Sequence, residues 1–396
     1  MRAFLPPLLA CSLLSAWAAP VLRLKGEVEG PLVLTTPNLV VEGKGAVLRG
    51  KGGHTLSLLA PGIRVRGLTV VGAGSEEDFF EPDAAIYLRG CEGCLLEDVA
   101  VEEAPAAVRV EDSPGATLRR LKARGLGQSP GVLVYSSPQA LVEGSHLWGF
   151  MDGVYVEYSP GMRIRENLLE NNGRYGFHVM FSWGVEIQGN HSWGNGIGNA
   201  VMHGAENRVG ENRLYGHKSP VGYGLLLQDE RGTQVLDNLF AENTLGLVLM
   251  DAVQVRVAGN RFQENGTALR LTRERGENSA QVEGNAFGGN LYDLLVDDPL
   301  AKAQVVGNRY DRASGLPLPH LPTGSFALLL ARQPELSLFA LSPGVILWEA
   351  AEAQVPGVRL IALADPQAAP LDRDLSLSLW AFLGVVGGIL WWWRRG

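Results

Sequence analysis

The sequence has no clustered Lys or Arg and carries a net charge of −8, so it offers nothing to a phosphate backbone and a nucleic-acid partner is excluded. Cysteine is scarce, with three in 396 residues. Cys11 lies in an N-terminal apolar stretch, and Cys91 and Cys94 form a single C-E-G-C with no second pair. One such pair is a weak metal signal, and outside the cytoplasm a local disulfide is the preferred reading. Aromatic residues are 8% and charged residues 19%, values that would suit a disordered chain were 46% of the residues not hydrophobic and set in short alternating runs. With 50 Gly, such a chain folds with many turns.

Long apolar runs occur only at the two ends. Residues 1–19 have one Arg, an apolar run and small residues at Ala16, Ala18 and Ala19, the composition of a secretory signal. At the other end, residues 375–393 contain no charge and finish on three Trp before Arg394 and Arg395. That length spans a bilayer core, and the Arg pair keeps the tail, residues 394–396, inside. The expected protein is exported and anchored in the cytoplasmic membrane, its body outside.

Between the ends one phrase recurs, best seen as G-N-x-φ-x-x-N, with φ an apolar residue. Its leading Asn stands at Asn167, Asn190, Asn212, Asn238, Asn260, Asn285 and Asn308, in steps of 23, 22, 26, 22, 25 and 23. Weaker copies reach back through Ser145, Arg120, Asp98, Gly67 and Lys44, giving about twelve turns over residues 20–315, with an acidic insertion at 74–83. The period, with alternating apolar strands between bends, predicts an all-β chain, a parallel β-helix. Leucine-rich repeats share the period, but their L-x-x-L-x-L-x-x-N is absent. Asn suits the bends because it tolerates left-handed backbone, and identical Asn on successive turns can form a ladder. Inward alternates supply the core: Val108/Val110, Val132/Val134, Val154/Val156, Phe177/Val179, Leu225/Leu227 and Leu247/Leu249, with Phe181 read as a further inward residue.

The same register stacks the outward residues. One column runs Arg109, Leu133, Tyr155, His178, Ala200, Leu226, Val248, and the next Glu111, Tyr135, Glu157, Met180, Met202, Gln228, Met250. Met180 and Met202 therefore face outward on adjacent turns about 4.8 Å apart. His178 lies two residues before Met180, His203 directly follows Met202, and Met250 stands two turns further on. Thioether sulfur is a soft donor, and soft donors with an imidazole select Cu(I) over hard cations, so these five residues are the candidate metal site. The same face reads equally well as an apolar docking patch for a partner protein. His146, His191 and His217 are assigned to exposed bends. A rival function, polysaccharide cleavage, would use Asp229 and Asp251, 22 residues apart, with Glu230 beside them as acid and base. It lacks the long aromatic insertions of a sugar groove, apart from the 74–83 loop far up the rod.

The phrase RYGFHVMFS at 174–182, followed one turn later by GNAVMHG at 198–204, resembles the NosD family, and the likeness extends over about residues 22–360. Gly176, His178, Met180 and Met202 occupy the matching positions, while His203 stands where an aromatic is usual. The resemblance implies a right-handed coil and a non-catalytic accessory role in maturing the copper centres of nitrous oxide reductase outside the cytoplasm. It further implies as partners an ABC transporter's membrane subunit and ATPase, a copper chaperone and the apo-reductase, with transient copper, Cu(I), as cargo. An anchor at 375–393 is not a general feature of that family. Residues 316–361, with apolar runs broken by Pro334, Pro343 and Pro356, are expected to form short helices at the membrane or over the open end of the coil, and 362–374 a linker.

Overall fold

The computed structural model describes residues 19–296, 300–311, 326, 329, 333, 336, 339, 342–345, 347–348 and 365–371. The expected signal segment before residue 19, most of the 316–361 segment, the expected spanning helix 375–393 and the tail 394–396 lie outside the described residues. Among the described residues no helix is long and apolar enough to cross a membrane.

Each turn contributes three short strands, as in Asp152–Glu157, Arg163–Arg165 and Leu168–Glu170, and every strand pairs in parallel with its counterpart one turn away. Twelve strands, from Leu32–Leu34 to Tyr292–Val296, make the first face. The other two faces are joined through the long strands Val40–Arg49 and Arg64–Val71. The parallel β-helix of about twelve turns is therefore the observed architecture. All of the listed Val and Leu alternates, with Phe177, are at most 1% exposed. Burying each is worth about 1.5–3 kcal/mol, which is why the register cannot slip. Inside the third face Phe240, Phe262, Phe287 and Tyr310 stack with ring centres 4.9, 4.9 and 5.1 Å apart.

The corners explain the Asn repeat, with a change of role. The left-handed residue at each bend is the one before the Asn: Glu166, Glu211 and Asp237 have φ of 54°, 57° and 56°, and Gly189, Gly259, Gly284 and Gly307 share the conformation. The Asn that follows turns inward and is buried. Asn190 Oδ1 accepts from the Asn167 backbone N–H and side-chain amide, both at 3.0 Å, while Asn190 Nδ2 donates to Asn212 Oδ1 at 2.9 Å and to the Ile164 carbonyl at 2.8 Å. The ladder runs from Ser145 through all seven Asn. A second passes Asn172, Asn195, His217, Asn243, Asn265 and Asn290. His217 thus fills an Asn rung and is 0% exposed, where the sequence had suggested an exposed bend. His146 and His191 begin strands and do not lie in bends; His146 pairs with Glu170 at 2.7 Å, and His191 is exposed.

Residues 365–371, inside the segment expected to be a linker, add a rung to the solenoid: Arg309 and Tyr310 pair in parallel with Ala369 and Pro370. Asp365, 0% exposed, caps the Asn ladder by accepting from Gly307 N at 2.8 Å, Asn308 N at 2.9 Å and Asn308 Nδ2 at 2.9 Å. Asp365→Ala is expected to cost at least about 2 kcal/mol, since it orphans these donors at a buried position. Chemical denaturation measures the loss, and amide exchange should localise it to Gly307 and Asn308.

Candidate functional site

The outward columns of the first face have the predicted register. Tyr155 pairs with His178 and Glu157 with Met180, then His178 with Ala200 and Met180 with Met202. Met202 pairs with Gln228 and Gln228 with Met250. The three Met are half-buried and lie on one flank. Met202 and Met250 also border an apolar cluster on this outer face, formed by Tyr175, Ala200, Leu226 and Val248.

His178 faces outward yet is only 5% exposed. Its Nδ1 lies 3.1 Å from Asp152 Oδ2, and Asp152, itself 0% exposed, also receives Arg174 Nη2 at 2.5 Å and Nε at 2.9 Å, with Tyr175 N–H at 3.2 Å on Oδ1. The register that pairs Asp152 with Tyr175 brings this carboxylate under the Arg174-Tyr175 step. Tyr155 and Tyr175 pack on the imidazole with ring centres 5.1 and 4.6 Å away. His178 Nε2 is buried and has no hydrogen-bond partner. The Tyr155 hydroxyl donates to Glu157 at 3.0 Å and reaches Met180 Sδ at 3.7 Å; burial, then Glu157, pushes its pKa well above the usual phenol range.

Gly176 of the phrase is required by space, because a Cβ there would stand 2.3 Å from Ser192 Oγ and 2.6 Å from Asn199 Oδ1. Asn199 turns inward and ties three turns together, accepting from Phe177 N at 3.1 Å and donating to the Gly224 carbonyl at 2.8 Å.

The acidic insertion is not remote. Residues 74–83 fold down the rod, tied by Ser129 Oγ to the Glu77 carbonyl at 3.3 Å, and place Phe79 against Tyr155 at 4.9 Å and under the Arg174 guanidinium at 4.7 Å. Phe181 departs from the inward set: the strand ends at Met180, and Phe181 takes φ 46° at the corner. There it stacks between Tyr158 at 5.3 Å and His203 at 4.9 Å, with Tyr135 edge-on to Tyr158 at 5.7 Å. His203 has φ 56°, and its Nδ1 lies 3.1 Å from Asp229. His203 therefore belongs to this corner ridge, one residue along from the methionine column.

The carboxylates of the rival reading serve separate ends. Asp229 faces His203, while Asp251 accepts from Glu274 N at 3.0 Å and Arg275 N at 2.9 Å, holding a neighbouring loop. Glu230 is 1% exposed, bound to Thr233 Oγ1 at 2.5 Å and Asn207 Nδ2 at 3.0 Å, and burial raises its pKa to about 7. Cys91 and Cys94 form a disulfide, buried in the core. Among the described residues no group of three or more His, Cys, Asp or Glu could hold a metal ion.

Asp152 was missed from the sequence. Its one signal there is an acid at the start of a strand, one turn before Arg174 and Tyr175, in a segment where the repeat calls for apolar residues.

Residues 119–299 match the family NosD, described as a periplasmic copper-binding protein, and every candidate residue and Asp152 falls within that span. The chain is similar in structure to the A-module of the mannuronan C-5 epimerase AlgE6 of Azotobacter vinelandii, with a TM-score of 0.59 and 16% identity over 74% of this chain and 89% of that one. It is also similar to the periplasmic alginate epimerase AlgG, with a TM-score of 0.51 and 13% identity over 72% of this chain and 78% of that one. At such identities the likeness is one of fold. No curated protein matches the chain.

Proposed function

Because residues 119–299 carry a NosD-family domain, we propose that the chain is an extracytoplasmic accessory factor for the copper centres of nitrous oxide reductase. It presents Cu(I), or a surface for its donor, on the first face of the solenoid. The observation that carries this reading is the pairing of Met180 with Met202 on adjacent turns, two residues along the strand from an imidazole whose buried Nε2 has no partner. Two thioethers and an imidazole are a soft donor set, suited to a monovalent copper cargo that must be released again. Met250, two turns on, and His203, on the corner ridge, are outer contacts. In this reading an ABC transporter, through its membrane subunit and ATPase, couples to the C-terminal portion, residues 375–393 anchor the chain in the cytoplasmic membrane, and a copper chaperone and the apo-reductase meet the methionine face.

The apolar cluster bordered by Met202 and Met250 supports a second reading, in which the face docks a partner and copper never binds it. Competition titration of the full chain with a chromophoric Cu(I) chelator separates the two. Met180→Ala/Met202→Ala is expected to weaken Cu(I) binding by about 100-fold, about 2.7 kcal/mol. Equal affinity in wild type and variant, with lost copper loading of the reductase in cells, would select docking. Polysaccharide cleavage has less to stand on, because Asp229 and Asp251 hold different partners.

A further inference from the structure

The geometry points to Asp152 as the positioning residue that fixes which nitrogen of His178 is offered to a ligand; this rests on the copper reading above and adds to it a residue that carries no ligand atom itself. Two groups approach His178 Nδ1: Asp152 Oδ2 at 3.1 Å and Arg174 Nη2 at 3.3 Å. Were Nδ1 an unprotonated acceptor for Arg174, its lone pair would be set against a carboxylate oxygen at hydrogen-bond distance. When Nδ1 carries the proton it donates to Asp152, and Arg174 Nη2, which can only donate, keeps its much shorter bond to Asp152 Oδ2 at 2.5 Å in place of the 3.3 Å contact with Nδ1. The opposite side of the ring gives the same answer. Nε2 is buried without a partner, and an orphaned acceptor lone pair is less costly than an orphaned N–H. Arg174, bound to both oxygens of Asp152 and lying 4.7 Å over Phe79 and 5.0 Å over Tyr175, fixes the carboxylate in the position from which it meets Nδ1. The result is an imidazole whose Nδ1–H is held by a carboxylate and whose unpartnered Nε2 is the nitrogen left for a ligand, the arrangement that orients a metal-binding histidine and raises its basicity.

The sequence phrase acquires a reason from this. Arg174 and His178 lie four residues apart, and both reach Asp152 of the preceding turn.

Selective 15N labelling of histidine in the full chain reads the tautomer directly, with the His178 signal assigned by its loss in His178→Gln. The expected result is the Nδ1–H tautomer; the Nε2–H tautomer would overturn the assignment. Asp152→Asn supplies the second arm. The Tyr175 N–H needs an acceptor at the Oδ1 position, so the new amide nitrogen takes the Oδ2 position facing His178 and donates to Nδ1, driving the proton to Nε2. Cu(I) affinity is then expected to fall about 10- to 100-fold with both methionines in place. Unchanged affinity together with an unchanged tautomer would refute the role of Asp152. If Asp152→Asn does not fold, the wild-type tautomer decides alone. If the wild-type chain takes up no Cu(I), the copper reading fails, while the tautomer still decides whether Asp152 positions the ring.

Discussion

Asn190→Leu is expected to destabilise the solenoid by about 4 kcal/mol and to open it locally around the turns on either side. Leucine fills the volume but provides no acceptor for Asn167 N–H and Nδ2 and no donor for the Ile164 carbonyl and Asn212 Oδ1. Each buried group so orphaned costs about 1–3 kcal/mol, and no water reaches a rung 0% exposed in the middle of the rod. Asn190→Ser is the internal control. Ser145 already holds the first position of this ladder, where its Oγ accepts Leu121 N–H at 3.0 Å, so a hydroxyl can satisfy the backbone donor though not the side-chain rung. Its loss should be about half that of leucine. A solenoid need not unfold in one step, so amide hydrogen exchange is the better measurement. Protection should fall over roughly residues 142–212 in Asn190→Leu and stay near native at the far turns. Uniform loss along the whole rod would show that the ladder is not the local unit of stability.

Acid should weaken the fold through His217, and Asn should cure it. Burial lowers the His217 pKa to about 4, from an ordinary value of 6.5. Its Nδ1 takes over the acceptor role of an Asn oxygen for Asn195 N–H at 3.2 Å, and a protonated Nδ1 cannot accept. The unfolded chain binds the proton at 6.5 and the folded chain only near 4. Stability from this group is therefore present above pH 6.5 and is lost as pH falls toward 4, by on the order of 3 kcal/mol. His217→Asn restores the amide rung and should flatten the difference between pH 7 and pH 4. Glu230 acts in the opposite direction. Its folded pKa is raised to about 7 from 4.5, so its contribution is present at low pH and lost as pH rises through 7. Glu230→Gln should therefore stabilise the chain on the neutral side. Denaturant titrations of wild type and both variants across pH 4–8 measure the two slopes. Parallel curves for wild type and His217→Asn would mean that the imidazole is not held neutral in the fold.

The period alone determined the fold class, the number of turns, the inward Val and Leu pairs and the adjacency of Met180 and Met202. In a parallel β-helix a sequence step of 22 to 26 residues becomes one rung in space, so equal phase means contact. Phase also found the Asn ladders, although it assigned the left-handed bend to Asn when the preceding Glu, Asp or Gly adopts it. What phase could not supply is anything joined off the period. The strap from Glu77 to Ser129 bridges 52 residues and the cap from Asp365 to Asn308 bridges 57, separations that no single step of the repeat brings together. Corner geometry was equally hidden, because alternation carries Phe181 inward while the left-handed turn after Met180 rotates it out onto the His203 ridge. The burial of His178 and its pairing with Asp152 were settled only in three dimensions, since what covers an outward side chain, and which of its two nitrogens finds a partner, depends on neighbours that no repeat encodes.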